Sequence, residues 1–220
     1  MAELFSEFEI RVVGSLIEKQ LTTPEYYPLT MNGLVAACNQ KSNRDPVMNL
    51  DETTILAAVE SLRERNLVYL YYGSTSRAVK YKHMLPSVYE LSPAEVAVMA
   101  VLFLRGAQTV GELRERTSRM HTFSGLGEVQ ETLDSLTRRD EPLVAKIERQ
   151  AGQKEARFAH LLAGPVRAET VAADVRSAQV AVSQPLTSDR IAQLEQNVDR
   201  LQTELNSFRE TFDEFRKQFD

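Results

Sequence analysis

"ESLRERNLVYL" at residues 60–70 and "DSLTRRDEPLVAKI" at residues 134–147 are one phrase written twice. In each, an apolar-periodic segment runs into charged residues and then into a β-rich run. A change of period from 3.6 to 2 marks a helix handing over to a strand. Working outward from the first copy, Ile10, Val13, Ile17 and Leu21 lie on one helical stripe within residues 8–21. Pro24 and Pro28 then break the chain. Leu34, Val35 and Cys38 mark a second, shorter helix ending near Asn39. Asp51 is placed to cap a third, with Ile55, Val59 and Leu62 inward. "LVYLYY" and "AVKYKHML", separated by "GSTSR", read as a β-hairpin.

The same order surrounds the second copy. "SPAE" at 92–95 combines a capping serine, a proline at the first helical position and a glutamate at the third, and opens the very apolar "VAVMAVLFL". "TVGE" at 109–112 repeats the capping-box pattern ahead of a short helix. A third helix spans roughly 127–139 with Val129, Leu133 and Leu136 inward. "LVAKIE" and "ARFAHLL", joined by "RQAGQKE", form a second hairpin. Three helices and a hairpin, twice, are the pattern of tandem winged-helix domains, a variant of the helix-turn-helix. The predicted class is mainly α with small β-hairpins (α+β). An α/β layout would instead alternate strands with helices. The expected units are residues 1–86, residues 87–164, a linker at 165–186 and a coiled coil at 187–220.

The coiled coil is predicted from Ile191, Leu194, Val198, Leu201, Leu205, Phe208, Phe212, Phe215 and Phe219, which alternate spacings of three and four. A helix carrying them is about 43 Å long. A seam of two positions in seven is narrower than a body-packing face, so a partner helix is favoured over packing on its own body. The simplest partner is a second copy. A parallel dimer faces Glu204 with Arg209 and an antiparallel one Glu195 with Arg216; phenylalanine at both seam positions also leaves a trimer open.

The run "EKQLTTPEYYPLTMNGLVAACNQKSNRDPVMNLDE" at 18–52, with the "ESLRERNLV" junction after it, resembles the YceH-like family of bacterial proteins. The resemblance spans roughly residues 8–165. It implies tandem winged helices and carries no activity with it.

Composition narrows the function classes. The net charge is −5, with 26 Lys and Arg against 31 Asp and Glu. Residues 1–86, 87–164 and 165–220 carry −1, −1 and −3, so the excess acid sits mostly in the tail. The single cysteine, Cys38, excludes an internal disulfide and fits a reducing cytoplasm. Set in "LVAACN", it reads as a small core residue. No apolar run is long enough for a membrane span, and "MAELFSEFEI" lacks the character of a signal peptide. His83, His121 and His160 are scattered, no metal-ligand spacing occurs, and no glycine-rich phosphate loop is present. The chain therefore reads as a non-enzyme without a cofactor.

DNA binding is the function that the fold implies. A winged helix places its third helix in the major groove and its hairpin against the backbone. Arg77, Lys80 and Lys82 in the first hairpin have no acid among them, and Lys80 and Lys82 share the strand face opposite Val79 and Tyr81. That strip either meets phosphates or is a solvated strand face. Lys41 and Arg44 in "CNQKSNRDPVMNLDE" (38–52) are further phosphate candidates, with Asn39, Asn43 and Asn49 adding neutral hydrogen bonds. The same stretch also reads as a purely structural connector, its asparagines tolerating left-handed turns and Asp45-Pro46 fixing a bend. Glu52, Glu60 and Glu64 on the third helix, and Glu128, Glu131 and Asp134 on its counterpart, count against groove reading. Arg114, Arg116, Arg119, Arg138 and Arg139 add positive charge to the second unit, partly offset by Glu112 and Glu115. The rival class is a protein-interaction scaffold that never touches nucleic acid.

Overall fold

Ser6 starts the first helix by accepting the Glu9 N–H, while the Glu9 carboxylate accepts the Ser6 N–H. This capping box opens α1 (Glu7–Thr22). The computed structural model describes residues 4–72, 78–147 and 155–164, all within the unit Met1–Val171. After a 3₁₀ turn at Pro24–Tyr26 come β1 (Leu29–Thr30), α2 (Met31–Cys38) and α3 (Glu52–Glu64). Thr30 caps α2 and Asp51 caps α3, each accepting a backbone N–H three residues on. β2 (Val68–Tyr72) and β3 (Val79–His83) form the hairpin. β1 pairs with the free edge of β3, giving an antiparallel sheet in the order β1-β3-β2. That two-residue strand is too short to show a period in sequence.

α4 (Leu85–Tyr89) follows, and the expected boundary between residues 86 and 87 falls inside it. The second copy then runs α5 (Pro93–Arg105), α6 (Val110–Thr117), α7 (Leu126–Thr137), β4 (Val144–Ile147) and β5 (Arg157–His160). Ser92 and Glu95 form the capping box of α5, and Thr109 and Glu112 that of α6. An isolated bridge between Gln108 and Phe158 stands where β1 pairs with β3 in the first copy. The architecture is thus a mixed α+β fold of helices and two small antiparallel sheets.

The repeated phrase has a physical reason. Ser61 donates to the Glu9 carboxylate at 2.7 Å, and Arg65 lies 3.5 Å from the same carboxylate. In the second copy Ser135 donates to Glu95 at 2.7 Å, and Arg139 lies 3.8 Å away. A serine and an arginine four residues apart therefore pin the third helix of each copy to the cap of its first. Burial pushes both carboxyls up, but the serine hydrogen bonds and the arginine charge outweigh it and hold Glu9 and Glu95 below the ordinary carboxylate range.

The copies share one core. α1 packs on α5, whose residues 95–104 are all buried. Gly14 permits the approach: a Cβ there would lie 2.9 Å from the Phe103 Cβ. Leu16, Ile17, Met99 and Leu102 are buried beside it, each contributing roughly 1.5–3 kcal/mol. Among the described residues no helix is long and apolar enough to cross a membrane.

Candidate nucleic-acid interface

The first hairpin has two unlike faces. The register pairs Val68 with His83, Leu70 with Tyr81 and Tyr72 with Val79 on one side. Val68, Tyr81 and His83 are buried there. The His83 N–H donates to the Tyr27 hydroxyl at 2.8 Å, its Nε2 meets Gln20, and burial pushes its imidazole down to about 4. Burial likewise raises the Tyr27 phenol.

The other side pairs Tyr69 with Lys82 and Tyr71 with Lys80. Tyr69 and Tyr71 are 47% and 49% exposed. Lys82 is exposed, Lys80 half-buried, and neither makes an ion pair among the described residues. The placement of Lys80 and Lys82 on a common face follows the sequence alternation. The same period of two in "LVYLYY" carries Tyr69 and Tyr71 to this face. Tyrosine rings beside unpaired ammonium groups give a face able to hold phosphate and to stack. Arg77 lies outside the described residues, as do Ile191, Leu194, Val198, Leu201, Leu205, Phe208, Phe212, Phe215 and Phe219.

The second hairpin is committed elsewhere. Arg157 on β5 forms a forked pair with Glu112 of α6 at 2.8 and 3.2 Å and also donates to the Ala107 carbonyl.

The connector from Asn39 to Leu50 is built around arginines. Arg44, expected at the surface as a phosphate contact, is buried, with its side chain fully enclosed. It pairs with Glu18 of α1 at 2.7 Å and donates to the carbonyls of Ala37 and Asn43. Arg11, also buried, donates to the carbonyls of Cys38 at 3.1 Å and Pro46 at 2.6 Å. Two guanidiniums thus satisfy carbonyls in the last turn of α2 that have no helical partner. The Asn39 side chain exchanges two hydrogen bonds with the backbone of Leu50, closing the connector. Burial pushes the Glu18 carboxyl up, but the hydrogen bond and charge of Arg44, with help from Lys19, hold it low.

Asn43 is exposed in the left-handed conformation, φ 58°, and its side-chain oxygen accepts from Arg105. Lys41 is exposed. Of the connector's candidates, Lys41 alone is thus a cation that faces solvent. Cys38 is buried, and burial raises its thiol.

The outer surface of α3 carries Glu52, Leu56, Glu60 and Glu64, with Arg63 paired to Glu60. A duplex phosphate would meet carboxylates there. Among the described residues no group of three or more His, Cys, Asp and Glu side chains is placed to hold a metal.

A family model described as "Protein of unknown function, DUF480" matches residues 5–153. The chain is 46% identical over 225 residues to a UPF0502 protein of Pelobacter propionicus, covering all of both chains. It is 49% identical over 199 residues to one of Opitutus terrae, covering 90% of this chain and 83% of that one. UPF0502 protein GSU0233 of Geobacter sulfurreducens is 46% identical over 222 residues, again end to end. A match on that scale agrees with the resemblance carried by residues 18–52, and the chain belongs to the DUF480, or UPF0502, family of bacterial proteins.

Proposed function

We propose that this protein binds DNA through backbone contacts, as two winged-helix units (1–86 and 87–164) whose copies are joined by a coiled coil at 187–220. One observation carries the reading: the cross-strand pairs Tyr69–Lys82 and Tyr71–Lys80 gather aromatic surface and unpaired positive charge on the outer face of the first hairpin. The order helix, short strand, helix, helix, hairpin supports the winged-helix assignment. The acidic face of α3 points to phosphate contact by the wing instead of base reading in the groove.

Fluorescence anisotropy of a mixed-sequence duplex over a salt series tests it. Wild type is expected to bind with an affinity that falls steeply with salt. Replacing Lys80 and Lys82 by glutamate removes two phosphate contacts and lowers the log–log salt slope by about 2; adding Arg77→Glu abolishes binding. No binding at low salt overturns the reading. It would favour a protein-binding platform, for which exposed Leu56 between Glu52 and Glu60 offers an anchor. Deleting residues 187–220 is expected to lower the mass measured by light scattering with the remaining chain still folded. An unchanged mass removes the coiled coil from the proposal.

A further inference from the structure

A second basic feature lies away from the hairpin. A cleft of about 180 Å³ is bounded by the end of α1, the connector after α2, the end of α5 and the end of α6. Lys19, Arg105, Arg116 and Arg119 line it, with Glu18 as the one lining carboxylate. Four cations against one anion leave a local charge of +3 in a chain whose net charge is −5. Glu18 is engaged chiefly by Arg44 at 2.7 Å and lies 3.5 Å from Lys19.

The cations are held in place. Arg105 donates to Asn43, Lys19 donates to Gln40 at 3.3 Å, and Arg116 donates to Gln108 and lies 3.9 Å from Glu112. Gln108 is itself buried, and its amide donates to the carbonyls of Arg105, Gly106 and Ala107. Each guanidinium has five N–H donors in a fixed fork, so Arg105 and Arg116 keep donors to spare. Arg119 is exposed and makes no hydrogen bond or ion pair among the described residues. Burial, and then the charge of Arg116, lower the Arg105 guanidinium's hold on its proton, although it stays charged. A bound anion would relieve that crowding.

Shape narrows the ligand class. Val101, Leu104 and Met120 give the cleft an apolar wall beside the charged one. Its volume falls below the roughly 300–1,000 Å³ usual for drug-sized ligands. A phosphate group with a short carbon skeleton matches both the size and the chemistry, since forked guanidiniums bind phosphate oxygens two at a time.

We propose that this cleft is a binding site for a small organic phosphate, with Arg105, Arg116, Arg119 and Lys19 holding the phosphate against the wall of Val101, Leu104 and Met120. The ligand is a small phosphorylated metabolite, bound at a site separate from the wing. Its contacts come from both sequence copies, so binding ties them together.

The test uses the full chain, with inorganic phosphate and glycerol 3-phosphate as probes and glycerol and chloride at matched ionic strength as controls. Calorimetry is expected to show saturable binding of both phosphates, one per chain, and none of glycerol. Arg119→Gln, at an exposed position, is expected to keep the wild-type urea midpoint and weaken binding by about tenfold or more. Arg105→Gln combined with Arg119→Gln abolishes it. Absence of saturable binding to either probe overturns the proposal, as does equal binding by the double variant. If the double variant loses duplex binding and keeps phosphate binding, the cleft belongs to the nucleic-acid surface and the small-phosphate site is refuted.

Discussion

Replacing Arg44 by methionine separates a structural arginine from a phosphate contact. The substitution keeps most of the aliphatic volume and removes the 2.7 Å pair with Glu18, along with the donations to Ala37 and Asn43. The side chains of Arg44 and Glu18 are 0% and 9% exposed, so water replaces little of what is lost. Stripping one partner from a buried pair costs about 3–5 kcal/mol, because the other charge stays buried and unmatched. Lys19, 3.5 Å from the same carboxylate, offsets part of this and places the loss at the lower end, about 3 kcal/mol. With a urea slope of about 2 kcal/mol/M, the midpoint should fall by about 1.5 M.

Two companion variants sharpen the assay. Arg44→Lys keeps the charge without the fork and should fall between wild type and Arg44→Met. Adding Glu18→Gln to Arg44→Met removes the orphaned charge and should recover about 1 kcal/mol, a coupling expected only of residues in contact. The reasoning is refuted if Arg44→Met keeps a urea midpoint within about 0.3 M of wild type, within extrapolation error. It is refuted more sharply if that same variant loses duplex affinity.

Gly14→Ala drives a methyl to 2.9 Å from the Phe103 Cβ and 3.0 Å from Leu104, contacts that α1 and α5 relieve only by moving apart. Overpacking of this kind costs about 1–3 kcal/mol, and a melting temperature at or above wild type would show that the two helices are not in close contact. His83 makes stability depend on pH. Its folded value of about 4 lies below the ordinary 6.5, so the unfolded chain binds more protons between these values. Its contribution is complete above pH 6.5 and is lost as pH falls towards 4, about 3 kcal/mol in all. His83→Gln should flatten the fall in urea stability between pH 6.5 and 5 by up to about 1.4 kcal/mol per pH unit, and an unchanged slope would contradict the burial of a neutral imidazole.

The parts of this fold that sequence reveals are those whose cause is local. "SPAE" and "TVGE" announce their helices because a capping box closes within four residues, and both boxes form. The alternation in "VKYKH" sorts Lys80 and Lys82 from Tyr81 because a strand's period needs no knowledge of its neighbours. Arg44 shows where this stops. In a stretch as polar as 38–52 its charge reads as surface, yet Glu18, 26 residues earlier, takes it inside. Arg11 is likewise taken inside by carbonyls 27 and 35 residues away, contacts that no local pattern displays. The basic cleft is less visible still, because Lys19, Arg105, Arg116 and Arg119 fall on three helices and the loop after the last, and each segment alone is close to neutral. Local charge counts average such a site away. Ser61 and Ser135 lie between these extremes: the repeated phrase displays them, but only the buried Glu9 and Glu95 explain why both copies keep a serine followed four residues later by an arginine. A repeat in sequence therefore points first to a shared structural clamp. The features on which the copies differ, an outward Tyr–Lys face on one hairpin and an Arg157–Glu112 tether on the other, are where a division of labour between them has to be sought.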